Sequence, residues 1–312
     1  IISGLVGSEM CIRDRKILGC FIIMIMSHSF YEKYRSAINR FIEQALIEDI
    51  EKGDHSSQAC FDNQMETSAV LKVKEDCVIA GIDLAEKIFT RFDQLIKLTR
   101  NFEDGESLTQ GTVAYTVKGP AKSLLISERL VLNCMQRMSG IASLTHQLNK
   151  KINHTKCKIL DTRKTTPGFR YPEKWAVTIG GGYNHRMGLF DAIIIKDNHV
   201  DFCGGMQKTL LKTKDYLDRN QLKIDVIVEV RTQIEIEAVM NFPWVKRILL
   251  DNMGPDQIKE KVAWINKSFE TEASGSISEE NLIRYAETGV DFISMGALTH
   301  STKNVDLSLK AL

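Results

Sequence analysis

Seven basic residues besides the terminal His199 stand within the 39 residues from Asp161 to His199, a segment that reads DTRKTTPGFRYPEKWAVTIGGGYNHRMGLFDAIIIKDNH. They are Arg163, Lys164, Arg170, Lys174, His185, Arg186 and Lys196. An arginine can grip a carboxylate or phosphate with a bidentate fork, and a lysine supplies a compact point charge. Two short β-favouring runs, Lys158-Ile159-Leu160 and Ala192-Ile193-Ile194-Ile195, lead into cations within a few residues. A strand that ends beside a cation fixes that charge at the rim of a sheet. Several such points make a pocket for a ligand with more than one negative charge, and dicarboxylate and phosphate are equally open at this stage.

The elements that must position these groups follow from periodicity. From Tyr31 to Ile50 apolar residues recur at spacings of three and four, one face of an amphipathic helix. Ser68–Val73 alternates polar and apolar, Cys77–Ala80 is a second short strand, Ile82–Phe92 is helical, and Gly111–Val117 is a strand closed by Gly119-Pro120. Leu124–Leu148 reads as a long helix with an interruption near Ser139-Gly140, its Met135, Met138 and Ile141 facing the core. Beyond it strands and helices alternate. Strands are expected at Lys158–Asp161, Ala192–Lys196, Lys223–Val230, Arg247–Asp251, Glu270–Ser274 and Asp291–Met295. Helices are expected at Thr232–Met240, Pro255–Lys267 and Glu279–Thr288. Repeated βα units imply parallel strands, and their number points to a closed barrel, with an open doubly wound sheet as the competing architecture. No G-x-G-x-x-G follows an early strand, so nothing supports dinucleotide binding.

In a βα barrel the site is built from the C-terminal ends of the strands. Those ends are Thr162-Arg163-Lys164, Lys196, Glu229, Asp251, Ser274-Gly275 and Gly296-Ala297. Glu229 and Asp251 can bind Mg²⁺ or accept hydrogen bonds from sugar hydroxyls. The glycine turns can bring backbone N–H groups to a phosphate. Together they fit substrates with carboxylates, a ribose, several phosphates and a magnesium ion. Bland readings stand beside these. Glu229 can pair with Arg231, His185 can be a structural histidine, and Gly180-Gly181-Gly182 is more often a flexible turn than a phosphate cradle. His55, His199 and His300 are read as structural or peripheral.

The chain has 312 residues, 43% hydrophobic and 26% charged, with a net charge of +1. One large domain or two ordinary ones fit that length. Near-neutral charge gives no global signal for nucleic acid or an anionic membrane, so attraction for anions has to be local. The seven cysteines form no CxxC pair, which argues against a disulfide framework or zinc site and fits a reducing cytoplasm. Residues 1–26 differ from the rest: Arg13, Arg15 and Lys16 precede an apolar run from Ile17 to Met26, too short to span a bilayer. A signal peptide is the lesser reading there, and a non-native or disordered extension the preferred one.

The blocks DTRKTTPG, GGGYNHRMGL, IIIKDNH, VEV, LLDNM, EASG and ETGVDFISMGALTHS, in this order and spacing, resemble the quinolinate phosphoribosyltransferase family, also called nicotinate-nucleotide pyrophosphorylase (carboxylating). GDHSS, VKEDCVIAGIDLAEKIF and ERLVLNCMQRMSGIAS match its N-terminal half, and the resemblance runs from Phe41 to Leu309. It implies an N-terminal α/β sandwich domain over 27–128, an incomplete seven-stranded α/β barrel over 129–299, and a tail at 300–312 that returns to the first domain. It also implies transfer of phosphoribosyl from phosphoribosyl pyrophosphate (PRPP) to quinolinate with loss of CO₂, giving nicotinate mononucleotide and pyrophosphate in de novo NAD synthesis, with Mg²⁺. The family forms homodimers, sometimes hexamers, in which each site borrows an arginine from the neighbouring subunit; here that arginine matches Arg129. The quinolinate cations match Arg163, Lys164, His185, Arg186 and Lys196, and Thr162 lies among them. Glu229 and Asp251 match the acidic residues near ribose and metal, and Lys164 joins them as catalytic. Ser274, Gly275, Gly296 and Ala297 match the phosphate turns. Ser276 departs from the family, which often has glycine there. Two rivals remain: a related transferase with another acceptor, such as the one associated with molybdenum uptake, and a catalytically dead anion-binding protein on the same fold.

Overall fold

A computed structural model gives the structure of residues 12–62 and 65–312, with side chains from Ser29 onward. Residues 1–11 of the expected extension lie outside the described residues; from Ile12 the backbone is helical. Elements follow in chain order as α1 (Ile12–Ile50), α2 (His55–Cys60), β1 (Glu66–Val73), β2 (Cys77–Val78), α3 (Ile82–Phe92), β3 (Lys97–Arg100), β4 (Ser107–Leu108), β5 (Val113–Pro120) and α4 (Ala121–Lys151). Then come β6 (Lys158–Leu160), α5 (Arg170–Ile179), β7 (Ala192–Ile195), α6 (Asp197–Cys203), α7 (Met206–Arg219), β8 (Asp225–Val230) and α8 (Gln233–Met240). The chain closes with β9 (Arg247–Asp251), α9 (Pro255–Ile265), β10 (Glu270–Ser274), α10 (Leu282–Ala286), β11 (Phe292–Ser294), α11 (Ala297–His300) and β12 (Leu307–Ala311).

The chain divides into two compact units. One comprises residues up to Ser143 with Thr178–Gly180 and Lys303–Leu312. Its main sheet is antiparallel, in the order β12-β1-β5-β3. Alternation on β1 turns Ala69, Leu71 and Val73 inward, the half-buried pattern its sequence predicts. The apolar stripe of α3, Ile82, Leu84, Ala85, Ile88 and Phe89, is buried, and α3 packs with α1 and β3. Helix α4 runs without the interruption expected at Ser139-Gly140. Small residues serve a close approach there instead: the Ser139 hydroxyl bonds both the N–H and the carbonyl of Ala80. Met135, Met138 and Ile141 are fully buried, as expected.

The second unit, Leu144–Val177 with Gly181–Thr302, holds a six-stranded parallel sheet in the order β6-β11-β10-β9-β8-β7. Strand β8 is buried at every position after Asp225, the continuous apolar run of a parallel strand covered on both faces. The barrel is incomplete. In the seventh place stands only a single parallel bridge between Leu160 and Tyr183. The Gly180-Gly181-Gly182 turn carries the chain into that bridge, and space dictates its glycine: a Cβ on Gly182 would lie 2.7 Å from Thr145 Cγ2 and 2.8 Å from Val177 Cγ1.

Candidate active site

A cavity of about 930 Å³ opens at the C-terminal ends of the parallel strands. That is near the upper end for one small-molecule site, and leaves room for two substrates. Every site residue expected from the sequence lines it except Arg129. Arg129 is an exposed residue of α4, in the first unit.

Cations enter from two loops. After β6, Thr162, Arg163 and Lys164 project from a loop tied down by α5. Buried Glu173 accepts hydrogen bonds from the Thr166 N–H (3.0 Å) and hydroxyl (2.9 Å), and Arg170 Nε donates to Thr165 Oγ1. The second loop presents His185 and Arg186 and is shaped by Asp191, which accepts from the N–H groups of Met187 and Gly188. Arg186 Nη1 donates to Ala192 O, while its Nε is buried without a partner among the described residues. Burial, and then the neighbouring charge of Arg163, push Arg186 below the ordinary arginine range. An anion between the two guanidinium groups relieves both penalties.

Lys174 and Arg170, counted among the seven basic residues, do not reach the cavity. Lys174 is fully buried in an ion pair with Asp161 and also donates to the His185 carbonyl. Asp161 accepts in addition from Asn184 Nδ2 (2.6 Å) and His185 N (2.8 Å). Burial raises Asp161 and lowers Lys174, against their mutual attraction. The pair fixes the loop rather than meeting a ligand.

The strand residues of the site obey a period of two. Ile194 lies on β7 and Lys196 follows it, Leu249 and Asp251 lie on β9, Glu272 and Ser274 on β10, and Ser294 ends β11 with Gly296 just beyond; all line the cavity. Buried Glu229 accepts from Lys196 Nζ at 2.9 Å. The Arg231 pairing open to it in the sequence is not made: Arg231 bonds Asp201 and Glu235 instead. Asp251 accepts from Asn252 Nδ2 at 2.6 Å.

Two turns complete the rim. Gly275 has φ +95°, and a Cβ there would sit 2.2 Å from Asn252 Oδ1 and 2.9 Å from its backbone nitrogen, so only glycine fits. Ser276, where glycine was expected, is accommodated at φ +49° and lines the cavity. At Gly296 a Cβ would lie 2.9 Å from Lys164 Cδ and 3.0 Å from His300 Cδ2. His300, expected to be peripheral, therefore lines the cavity, whereas His199 is structural, its Nδ1 accepting from Lys196 N.

The sequence reading missed Glu272, Ser294 and Asn252. Stepping back two residues from Ser274 and Gly296 finds the first two, because alternate residues of a strand share a face. Glu272 is fully buried. Arg247 Nη1 donates to its Oε2 at 3.0 Å and His185 Nε2 lies 3.4 Å from the same oxygen. Burial alone would raise its carboxyl; His185 first and then Arg247 outweigh that and hold it below the usual range.

Cations and carboxylates gathered in one cavity, with tight glycine turns after the last strands, define an α/β-barrel enzyme that brings two anionic small molecules together. Comparison with known families is specific. The model of the quinolinate phosphoribosyl transferase C-terminal domain matches residues 141–310, and that of its N-terminal domain residues 54–139. Quinolinate phosphoribosyltransferase [decarboxylating] 1b of Nicotiana tabacum is 41% identical over 321 residues, covering 98% of this chain and 90% of the relative. The chloroplastic nicotinate-nucleotide pyrophosphorylase [carboxylating] of Arabidopsis thaliana is 42% identical over 91% of this chain and 84% of its own. The crystal structure of NadC from Streptococcus pyogenes superposes with a TM-score of 0.82 at 37% identity, covering 88% of this chain and 97% of that one. The chain belongs to the quinolinate phosphoribosyltransferase family.

Proposed function

We infer that the protein transfers phosphoribosyl from PRPP to quinolinate with decarboxylation, yielding nicotinate mononucleotide, pyrophosphate and CO₂ in de novo NAD synthesis. The observation that carries this reading is the gathering in one cavity of Arg163, Lys164, His185, Arg186 and Lys196 with Glu229, Asp251 and the turns at Gly275 and Gly296. Quinolinate is a dianion and PRPP is more negative still, so their approach needs dense preorganised positive charge. Arg163 and Arg186 meet the acceptor's carboxylates, and Lys164 and Lys196 add point charges. The ring nitrogen attacks the ribose C1 and pyrophosphate leaves. The transition state at C1 is cation-like, so Glu229 and Asp251 stabilise it electrostatically. The ribosylated nitrogen, now cationic, accepts the electrons released when the 2-carboxylate departs as CO₂. No nucleophilic side chain is required.

Magnesium belongs to this proposal. Among the described residues no group of three His, Cys, Asp or Glu side chains is placed to hold a metal ion. Glu229 and Asp251, on adjacent strands, suit an ion that keeps waters and substrate phosphate oxygens and needs only one or two carboxylates. There it would neutralise charge on the departing pyrophosphate. A homodimer with Arg129 supplied across the interface is likewise proposed, and what supports it is an exposed arginine outside the cavity at the matching position. A cytoplasmic location is proposed from unpaired cysteines; no described helix is long and apolar enough to cross a membrane.

The deciding assay incubates the protein with quinolinate, PRPP and Mg²⁺ and follows nicotinate mononucleotide and CO₂. Both products are expected. Turnover with nicotinate but not with quinolinate would sink the reading.

A further inference from the structure

Glu272 is a buried carboxylate in the cavity wall that the reaction above leaves unused. Its Oε2 takes Arg247 Nη1 at 3.0 Å and faces His185 Nε2 at 3.4 Å, while Oε1 is buried without a partner among the described residues. The other ring nitrogen of His185 is also committed: Nδ1 accepts the Arg186 N–H at 2.8 Å. A nitrogen that accepts carries no proton, so the one ring proton sits on Nε2, toward Glu272. The backbone of His185 is pinned as well, its N–H on Asp161 at 2.8 Å and its carbonyl on Lys174 at 3.0 Å. Such many-sided restraint exceeds what a wall residue needs, and it fixes both the place and the tautomer of the ring.

We propose that Glu272 is a positioning residue: backed by Arg247, it holds His185 as the neutral Nε2–H imidazole whose fixed ring bounds the place of the acceptor's carboxylate among Arg163, Arg186 and Lys196. On this account His185 contributes shape, neither charge nor a hydrogen bond to the acceptor, and the acceptor's two negative charges fall to the arginines and lysines. A carboxylate in this place is needed because a neutral partner specifies the tautomer less strongly than a charged one. The proposal rests on the quinolinate reading for its kinetic part only.

The tautomer is read directly on the unmodified protein. Long-range ¹H–¹⁵N correlation at pH 7, with the His185 signals assigned by their loss in His185→Gln, is expected to show the neutral Nε2–H pattern. An imidazolium or Nδ1–H pattern overturns the proposal. In Glu272→Gln, the KM for quinolinate is expected to rise about tenfold, with that for PRPP unchanged within about twofold and Glu272→Asp recovering part of the loss. Equal rises in both KM values, or none in folded protein, also overturn it. The wild-type spectrum decides the matter even where Glu272→Gln does not fold. Absence of wild-type turnover with quinolinate would strike the functional reading and leave the spectrum to judge Glu272.

Discussion

The stem of Lys164 lies across Gly296, so close that a Cβ on that glycine would stand 2.9 Å from Lys164 Cδ. The lysine's reach into the cavity is thus set by the absence of a side chain in the turn between β11 and α11. Gly296 carries no positive φ, so adding a methyl group strains no backbone there and displaces only flexible neighbours, Lys164 and His300. Gly296→Ala is therefore expected to change the urea unfolding midpoint little, within roughly 1 kcal/mol, while kcat/KM falls about tenfold or more. A loss of stability matching the loss of activity would mean that the glycine serves packing rather than the placement of Lys164.

Helix α5 shows how an element prepares a site it does not enter. Its Lys174 and Glu173 are fully buried and spend their polar atoms on the two cation-bearing loops. Replacing Asp161 by Asn leaves the Lys174 ammonium buried without its carboxylate, at an expected cost of about 3–5 kcal/mol. The double variant Asp161→Leu/Lys174→Met removes both charges and is expected to regain much of that stability in urea unfolding. It should stay inactive, because the His185 N–H has lost its acceptor; a double variant both stable and active would show that the pair serves the core alone. Helix α5 is also where the sequence was hardest to read. Its KWAVTI stretch is an apolar run opened by a buried lysine, and by charge alone Lys174 counts with the other basic residues of the segment. Strands β8 and β9 were legible because a parallel strand buried on both faces is a nearly unbroken apolar run ending at a polar rim. β3, β4 and β12 were not, being short strands whose pairing is set by distant partners, as when β12 finds β1 across the whole chain. Rim residues such as Glu229 and Asp251 could be read from strand ends, whereas Glu272 lies one pleat deeper, where a carboxylate looks like any other charge until Arg247 and His185 are seen around it.

At the scale of the molecule, a net charge of +1 hides strong local polarity: the cavity gathers cations with Glu229, Asp251 and Glu272, and many other charges close ion pairs away from it. One cation of the expected set, Arg129, stands outside this arrangement, exposed on α4 and absent from the cavity lining. If the working unit is a two-fold dimer in which each cavity takes Arg129 from its partner, the two defects separate genetically. Arg129→Ala and Lys164→Ala proteins are each expected to be folded and inactive. Mixed in equal amounts under conditions of subunit exchange, they form hybrid dimers in which one cavity carries both substitutions and the other neither. Since half of the dimers are hybrids and half of their cavities are intact, activity should return to about a quarter of the wild-type value. Recovery must track exchange, rising with incubation and disappearing when the subunits are cross-linked beforehand. Exchange demonstrated by labelled subunits with no return of activity would place Arg129 in its own chain's chemistry, or outside the chemistry altogether.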